Sequence, residues 1–370
     1  MHLMTTNRAE QAGALLTIDL GAICANYRLL RERVGACAAV IKADGYGLGA
    51  ARVAPALAAA GCRHFFVAHL EEAIALRPHL SESAALYVLH GSPPAVEAEF
   101  LAHRLIPVLN SLLQVDAWTA LARAKGEALP AILQVDTGMS RLGLSARELA
   151  TVAEDPHCLD GIELRYVMSH LACAEHQEHP MNAQQLTAFR QALQRLPRAA
   201  ASFANSSGIF LGPDYHFDLA RPGAALYGVA PVAGAPNPMC QVVRLQGKVI
   251  QVRRIEAGTA VGYSVRYRAP SARRIATVSV GYADGYLRSL SNGAVAWFGD
   301  TALPLVGIVS MDTISLDVSD LPEDALQPGS LVDLINEHQT VDALAQAAGT
   351  IGYEILTSLG GRYARAYVGA

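Results

Sequence analysis

Residues 37–49 read Cys-Ala-Ala-Val-Ile-Lys-Ala-Asp-Gly-Tyr-Gly-Leu-Gly, and this stretch decides how the rest of the chain is interpreted. The short apolar run predicts a buried strand, and the glycine-rich turn after it opens an alanine-rich helix. The strand ends on Lys42. A desolvated lysine has a lowered pKa, which suits an amine that forms a Schiff base, whereas an isolated lysine more often extends its ammonium to water. The residues that accompany Lys42 must decide between the two.

The composition of the chain is that of a large globular protein. Apolar residues make up 52% and charged residues 17% of its 370 positions, which argues against disorder and for about two domains. The net charge of −4 gives no indication of a nucleic-acid partner or a membrane surface. No apolar run approaches the ~18 residues of a membrane span. The six scattered cysteines form no C-x-x-C pair, which indicates reduced thiols and a cytoplasmic location.

Between residues 13 and about 230, short apolar runs alternate with amphipathic stretches rich in alanine and leucine. Such alternation predicts a parallel sheet, and eight strand–helix units predict an α/β fold of the (β/α)8 TIM-barrel type. An open doubly wound sheet is the second choice, because it usually stops at fewer strands. The candidate strands are 37–42, 64–68, 85–90, 105–109, 131–136, 164–169, 201–205 and 217–221.

A proline-rich segment marks the predicted domain boundary. Residues 229–238 contain three prolines and one glycine, which continue neither a helix nor a central strand. Beyond this segment, short β-branched runs separated by turn residues are typical of a mostly antiparallel β domain. We therefore predict a loose tail over 1–12, the barrel over 13–238 and the β domain over 239–370. The candidate strands of the β domain are 246–252, 274–280, 294–298 and 331–335.

Polar groups follow five of the predicted barrel strands. In a barrel, chemistry gathers at the carboxyl ends of the strands, and the last two ends commonly bind phosphate through backbone N–H groups. Ser206, Gly223 and Ala224 suit that role. A lysine nucleophile and a phosphate site on the same rim predict pyridoxal phosphate as the cofactor. The polar groups are Lys42 with Tyr46, residues 136–141, His170, residues 205–208 and residues 221–224.

Several longer motifs share their order and spacing with one enzyme family. The motifs are AVIKADGYGLG, VDTGMSRLG, ANSSG, RPGAALYG, GYADGYLR, VSMD and GRYARAY. Over nearly its whole length the chain resembles the alanine racemases, bacterial pyridoxal-phosphate enzymes with a barrel and a C-terminal β domain. The resemblance implies an isomerase that interconverts L-alanine and D-alanine. It also implies a homodimer with shared active sites, because Tyr263, Met311 and Asp312 reach the site from the other subunit in that family.

The resemblance also assigns roles to individual residues. Lys42 would bind the cofactor covalently and act as one catalytic base, and Tyr263 would be the second base. Racemisation removes a proton from one face and returns one to the other, so two acid–base groups are needed. Cationic neighbours such as His170 and Arg221 are expected to lower the pKa of Tyr263. The further cofactor contacts implied are Tyr46, Arg141, His170, Asn205, Ser206, Arg221, Gly223, Ala224 and Tyr353. The implied substrate contacts are Arg141, Met311 and Asp312, and the entrance residues are Tyr282 and Arg288.

Two positions depart from the commonest family pattern. Many members carry a carbamylated lysine where this chain has Gln134, and the glutamine carbonyl is predicted to accept a hydrogen bond from Arg141 instead. Ile308 stands where an arginine is frequent. Both changes bear on the polarity of the entrance and on turnover, and neither changes the reaction type.

Three other interpretations compete with this one. The glycine pattern at 45–50, with Glu71 and Glu72 about 20 residues on, fits a relaxed dinucleotide fingerprint of a dehydrogenase. A set of four side chains spaced by three residues could indicate a zinc site, but such a spacing walks around a helix, so no metal site is expected. The four side chains are His170, Cys173, His176 and His179. The third interpretation is a pyridoxal-phosphate carrier protein, which would lack the β domain.

The substrate assignment has its own alternative. A racemase of broader specificity would act on serine or another small amino acid.

Overall fold

The structure is a computed structural model that describes residues 10–369. Most of the tail predicted over 1–12 lies outside the described residues. The chain divides into two compact units. The barrel unit contains residues 23–226 and 230–239, and the C-terminal unit contains residues 10–22, 227–229 and 240–369.

Strands and helices alternate through the first half of the chain, and strands predominate in the second. The strands are β1 (Ala14–Asp19), β2 (Ala39–Val40), β3 (His64–Val67), β4 (Ala85–Val88), β5 (Ile106–Leu109), β6 (Leu129–Gln134), β7 (Ile162–Met168), β8 (Ala200–Ser202), β9 (Val243–Ile255), β10 (Ala260–Val261), β11 (Tyr267–Arg268), β12 (Arg273–Val278), β13 (Val295–Phe298), β14 (Thr301–Pro304), β15 (Ile314–Asp317), β16 (Leu331–Ile335) and β17 (Ala364–Val368). The longer helices are α1 (Leu20–Val34), α2 (Ala50–Ala59), α3 (Leu70–Leu76), α4 (Glu97–Ala102), α5 (Leu112–Lys125), α6 (Ala146–Glu154), α7 (Pro180–Arg195), α8 (Val341–Ala348) and α9 (Gly352–Ser358).

The barrel unit is built on a parallel sheet in which β2 to β8 are neighbours in sequence order. Parallel strands covered on both faces need apolar side chains on both faces. Neighbours along one strand satisfy this, since Phe65 and Phe66 of β3 are both fully buried. Helices α2 to α7 connect successive strands, as a barrel requires.

The eighth position of the barrel is filled by an irregular segment. Its Asp218 N–H donates to the carbonyl of Ala201 (2.9 Å), and its Ala220 carbonyl accepts from the Ala38 N–H (2.8 Å). The segment therefore bonds both to the chain around β8 and to the chain around β2, which closes the sheet. It is not a regular strand because Phe217 has a positive φ of 50° and Pro222 has no N–H to donate. The predicted fold class is confirmed, with this one irregular strand.

The C-terminal unit contains a larger, mostly antiparallel sheet in the order β14-β13-β16-β9-β1-β17, and β12 and β15 continue it beside β9. Strand β1 comes from the N-terminal end of the chain and pairs antiparallel with β9 and parallel with β17. The predicted barrel range of 13–238 had placed this strand in the barrel. The alternation of buried and part-exposed residues in β1 predicts a strand but cannot say which sheet it joins, because its partners lie more than two hundred positions away.

Each of the four predicted C-terminal strands is present, but the ends of most of them differ from the predicted ones. Strand β16 spans the predicted 331–335, whereas β9 extends the predicted 246–252 in both directions. The six cysteines are free thiols. Within residues 10–369, no helix is both long enough and apolar enough to cross a bilayer.

Candidate active site

Lys42 begins a tight turn with an unusual backbone. Ala43, Asp44 and Tyr46 have φ values of 53°, 53° and 56°, in the left-handed region that L-residues rarely adopt. Such residues each cost of order 1–3 kcal/mol and persist only where the surroundings determine them. Here the Asp44 carboxylate accepts the Ala50 N–H (2.8 Å), and Glu72 accepts the Ala43 N–H (2.6 Å). The sequence predicts a glycine-rich turn at this point but not its left-handed non-glycine residues.

Glu72 holds this turn against the next strand. Besides Ala43, it accepts the backbone N–H groups of Ala68 (2.7 Å) and His69 (3.1 Å). The dinucleotide interpretation needs an acidic residue at this point to bind a ribose hydroxyl. Glu72 instead uses both carboxylate oxygens on the backbone, so it is a positioning residue for Lys42.

The Lys42 ammonium lies in an environment that disfavours its charge. Burial lowers the pKa of Lys42, the positive charge of Arg141 lowers it further, and Glu72 opposes the shift. A lower pKa leaves more of the amine unprotonated at neutral pH, which is the form that attacks a carbonyl carbon.

Arg221 is the most deeply buried cation of the predicted site. It donates hydrogen bonds to the Ser169 carbonyl (2.6 Å) and to the Ser202 hydroxyl, and it contacts Nδ1 of His170 (3.4 Å). Within residues 10–369, no carboxylate pairs with it. Burial lowers the pKa of Arg221 to about 10, so the guanidinium stays charged at neutral pH.

His170 is neutral because it is desolvated by burial and because its neighbours are cations. Burial, then Arg221, Arg141 and Lys42 in turn, lower the pKa of His170 to about 3. The contact with Arg221 makes Nδ1 the hydrogen-bond acceptor, so the ring proton is assigned to Nε2. Of the two cations expected from the sequence, Arg221 is therefore charged and His170 is not.

The residues expected at the phosphate lie close together in the barrel unit. The Ser206 hydroxyl oxygen accepts the backbone N–H groups of Gly223 (2.9 Å) and Ala225 (3.2 Å). A hydroxyl that accepts two bonds still has its own hydrogen to donate. A Cβ on Gly223 would overlap the hydroxyl of Tyr46. Glycine is therefore needed at 223 so that the Tyr46 hydroxyl can lie close to this backbone.

Asn205 has a backbone role in the same region. Its side-chain oxygen accepts the Gly208 N–H (2.9 Å), and its amide donates to the Leu171 carbonyl (3.4 Å). It joins the loop after β8 to the loop after β7.

Arg141 lies in the loop after β6, which an aspartate organises. One oxygen of Asp136 accepts the N–H groups of Gly138 (2.9 Å), Met139 (3.0 Å) and Ser140 (3.1 Å). The predicted bond from Arg141 to Gln134 does not occur in the described part of the chain. Gln134 is buried, and its amide instead donates to the Leu142 carbonyl (3.2 Å), across the base of the same loop.

Gln185 of α7 is a positioning residue that the sequence analysis missed. It is fully buried and donates to the His170 carbonyl (2.9 Å) and to the Thr137 hydroxyl (3.2 Å). Its oxygen accepts the Ala172 N–H (2.9 Å). It therefore ties the loop that carries Arg141 to the loop that carries His170. The available signal was a glutamine within the stripe 182, 185, 186 and 189, which is otherwise mostly apolar.

The remaining predicted residues lie in the C-terminal unit. Tyr263 follows β10 in a hairpin and is 70% exposed, and Met311 is 53% exposed. Tyr282 and Tyr353 are also exposed large side chains of this unit. Arg288 is exposed, and the backbone of Ile308 lies near Gly262, next to Tyr263 in the chain.

Asp312 and its neighbours are joined by an arginine that the sequence analysis did not single out. Arg362 donates to Asp284 (2.5 Å) and to Asp312 (2.7 Å). These bonds raise the pKa of Arg362 above its ordinary value. The sequence signal available for it was its place in the GRYARAY motif.

Comparisons with known proteins agree with this geometry. Residues 18–231 match the family model described as alanine racemase, N-terminal domain, and residues 242–367 match the model for the C-terminal domain. The chain belongs to the alanine racemase family. It is 55% identical to a catabolic alanine racemase of Mesorhizobium japonicum over 97% of this chain and 94% of that protein. It is 51% identical to an alanine racemase of Rhodospirillum rubrum, over 97% of each chain.

Solved structures of the family have the same fold. The alanine racemase of Bartonella henselae, described with covalently bound pyridoxal phosphate, is 46% identical to this chain. It superposes with a TM-score of 0.93 over 96% of this chain and 100% of that one. The alanine racemase of a D-cycloserine-producing Streptomyces lavendulae is 30% identical and gives a TM-score of 0.91 over 97% and 98% of the two chains. The dehydrogenase interpretation is therefore wrong.

Proposed function

We propose that this protein is a pyridoxal-phosphate-dependent alanine racemase that uses two bases, Lys42 and the partner subunit's Tyr263. The observation that carries the proposal is the grouping of polar residues in the barrel unit. There, a lysine with a lowered pKa accompanies a cradle formed by Tyr46, Ser206 and Gly223, and a buried arginine that has no carboxylate partner in the described chain.

The residues fit pyridoxal phosphate by their chemistry. Lys42 would hold the aldehyde carbon, and Arg221 would donate to the pyridine nitrogen. Tyr46, Ser206 and the backbone of Gly223 would hold the phosphate group. When bound, the cofactor supplies an electron sink that makes the α-proton of an amino acid acidic. An arginine cannot give up a proton at working pH, so Arg221 serves only as a donor.

The chain's own side chains move the protons. The Nζ atom of Lys42 takes or returns the α-proton on one face, and the Tyr263 hydroxyl does so on the other.

Homodimer formation supplies the second base. Tyr263 is largely exposed on one chain, and the exposed side chains Tyr282, Met311 and Tyr353 belong to the same unit. Large exposed side chains of this kind are the usual material of an interface. A partner's barrel unit is their proposed surface.

Complementation between two inactive variants tests the shared site. We expect Lys42→Ala and Tyr263→Phe each to abolish racemisation. Refolding them together gives heterodimers in which one of the two sites has both wild-type residues. A statistical mixture should then recover about a quarter of the wild-type sites if the dimer shares its active sites. No recovery on mixing would place both bases in one chain.

Spectroscopy and isotope exchange test the cofactor and the bases separately. The visible absorption of bound pyridoxal phosphate should be present in the wild type and altered in Lys42→Ala. In deuterium oxide, Tyr263→Phe should exchange the α-proton of one alanine enantiomer much faster than that of the other. Equal exchange of both enantiomers would remove Tyr263 from the mechanism.

The broader-specificity alternative is not favoured, since the matched relatives are named as alanine racemases. Rates with L-serine and L-arginine beside L-alanine would measure the breadth directly. We expect alanine to have the highest kcat/KM.

A further inference from the structure

Arg362 forms a fork between two carboxylates of the C-terminal unit. Its Nε donates to Asp284 Oδ1 (2.5 Å), and its Nη1 donates to Asp312 Oδ1 (2.7 Å). Asp284 is buried, whereas Asp312 and Arg362 are each more than half exposed at the side chain. Because both donors lie in one planar guanidinium, the two carboxylates are held in a fixed relation to each other.

Asp284 anchors the turn that carries Tyr282. Its second oxygen accepts the Gly281 N–H (2.9 Å), and its carbonyl accepts the Gly360 N–H (2.9 Å). Gly285, in the same turn, has a φ of +89°, and a Cβ there would overlap the Ser358 carbonyl. The turn is therefore packed against the chain that follows α9.

The same turn also holds the segment with Met311 and Asp312. The Tyr282 N–H donates to the Ser310 carbonyl (3.0 Å), and the Ala283 N–H donates to the Met311 carbonyl (3.0 Å). A Cβ on Gly281 would overlap both of these carbonyl oxygens. One arginine thus connects the segments that carry Tyr282 and Asp312.

Charge gives this connection a consequence for the substrate. An amino acid brings a carboxylate, and the family resemblance places Met311 and Asp312 beside it. Two carboxylates repel unless a cation takes up one of the charges. Arg362 shares its positive charge between Asp284 and Asp312, so it takes up part of the charge of Asp312 and holds that carboxylate against the fold.

We propose that Arg362 is a positioning residue that pairs with Asp312, so that the substrate carboxylate meets weaker repulsion at the 310–312 segment. This inference rests on the proposed function and on the substrate contacts that the family resemblance implies for Met311 and Asp312. It predicts an effect on alanine binding that depends on the charge of Asp312.

The test is a double-mutant cycle on the holoenzyme. Arg362→Met should raise the KM for L-alanine about tenfold with kcat within about twofold, as expected when binding common to the ground and transition states is lost. Adding Asp312→Asn to Arg362→Met should restore most of the KM, because the released negative charge is then gone. A loss of packing alone would not be rescued by that second change.

Two further variants keep the test decisive. Arg365→Met is the matched control, because Arg365 donates to the carbonyls of Leu359 (3.2 Å) and Gly360 (3.5 Å) in the neighbouring segment. It should leave the KM near the wild-type value. Should Arg362→Met not fold, Arg362→Lys serves, since its charge remains but its single ammonium cannot make the same fork. It should raise the KM less than tenfold, and Asp312→Asn should again relieve the rise.

The outcomes separate the two proposals. A wild-type protein that does not racemise alanine overturns the proposed function. A wild type that racemises, with an unchanged KM in both Arg362 variants or a raised KM that Asp312→Asn does not relieve, overturns only the role of Arg362. Binding of propionate, measured by calorimetry, should weaken in parallel with the KM because propionate has the carboxylate and lacks the reacting amine.

Discussion

Arg221 of the barrel unit and Arg362 of the C-terminal unit show two ways for a protein to hold a guanidinium. Arg221 is buried and bonds to a carbonyl and a hydroxyl, and burial lowers its pKa to about 10. Arg362 is half exposed and lies between two carboxylates, which raise its pKa. The first arrangement leaves the positive charge available to a ligand. In the second, the positive charge is paired with carboxylates of the fold itself.

The comparison extends to the neighbours of each arginine. Near Arg221, burial followed by the neighbouring cations lowers the pKa of His170, and burial followed by Arg141 lowers the pKa of Lys42. In the described chain, neither Lys42, Arg141 nor Arg221 has an ion-pair partner. An excess of unpaired cations suits a ligand with several negative charges, such as a phosphate-bearing cofactor.

The largest expected effect comes from removing the unpaired arginine. Arg221→Met should lower kcat by about 10²-fold or more, because a preorganised buried donor to the reacting system is lost. Steady-state assays on cofactor-saturated protein measure this. Arg190→Met is the control, since Arg190 is an exposed residue paired with Asp214, and it should keep wild-type activity. If kcat falls by less than tenfold in Arg221→Met, the positive charge of Arg221 is not available to the reacting system as this comparison requires.

The next effect concerns the space left for an anion. Gly223→Ala puts a Cβ against the Tyr46 hydroxyl, which should cost about 1–3 kcal/mol and weaken cofactor binding by at least tenfold. Titration of the cofactor-free protein with pyridoxal phosphate measures the affinity. Adding Tyr46→Phe should relieve part of the overlap.

Gly293→Ala provides the matched control for this substitution. A Cβ on Gly293 would meet its nearest atoms at 3.9 Å, so the affinity should not change. If Gly223→Ala binds the cofactor as the wild type does, the cradle is not where the phosphate lies.

The sequence predicted which polar residues of the barrel unit lie together better than it predicted which residues hold them in place. Lys42, His170 and Arg221 were found because parallel strands bring their carboxyl ends to one rim. The positioning roles of Glu72 and Gln185 were not predicted, because their partners are backbone groups of distant loops and no periodicity in the sequence indicates such contacts. The membership of β1 was missed for the same reason, since a strand pattern does not name its partner.

A smaller effect tests whether His170 is neutral. Its folded-state pKa of about 3 is below the ordinary value of 6.5, so between these values the unfolded chain binds a proton that the fold does not. Protonation of His170 in the unfolded chain therefore costs no stability above about pH 6.5. Below that value, it lowers the free energy of unfolding progressively as the pH drops toward 3. Urea unfolding of the cofactor-free protein from pH 7 to 4 measures the slope. His170→Gln should remove up to ~1.4 kcal/mol per pH unit from it.

The exposed His157 is the control for this slope. His157→Gln should leave the slope close to that of the wild type, since His157 is 86% exposed at the side chain. If His170→Gln and His157→Gln change the slope equally, His170 is not the buried neutral base described above.

The smallest expected effect is that of replacing Lys42, and it is a gain in stability rather than a loss. Burial and Arg141 disfavour the charged lysine, so Lys42→Met should raise the free energy of unfolding of the cofactor-free protein by ~1 kcal/mol at pH 7. The folded-state pKa is the lower one, so the gain should be largest at and below neutral pH. The gain should vanish as the pH rises towards the ordinary lysine pKa of ~10.4, above which the lysine is uncharged in both the folded and the unfolded state.

Denaturant unfolding of Lys42→Met and the wild type at pH 7 and at pH 10 measures this gain at both pH values. A Lys42→Met protein less stable than the wild type at pH 7 would mean that Glu72 outweighs burial and Arg141, and that the lysine is held as an ordinary ion pair. A gain present at pH 7 and absent at pH 10 would mean that the fold keeps Lys42 at a cost in stability, as expected of a residue retained for its reactivity.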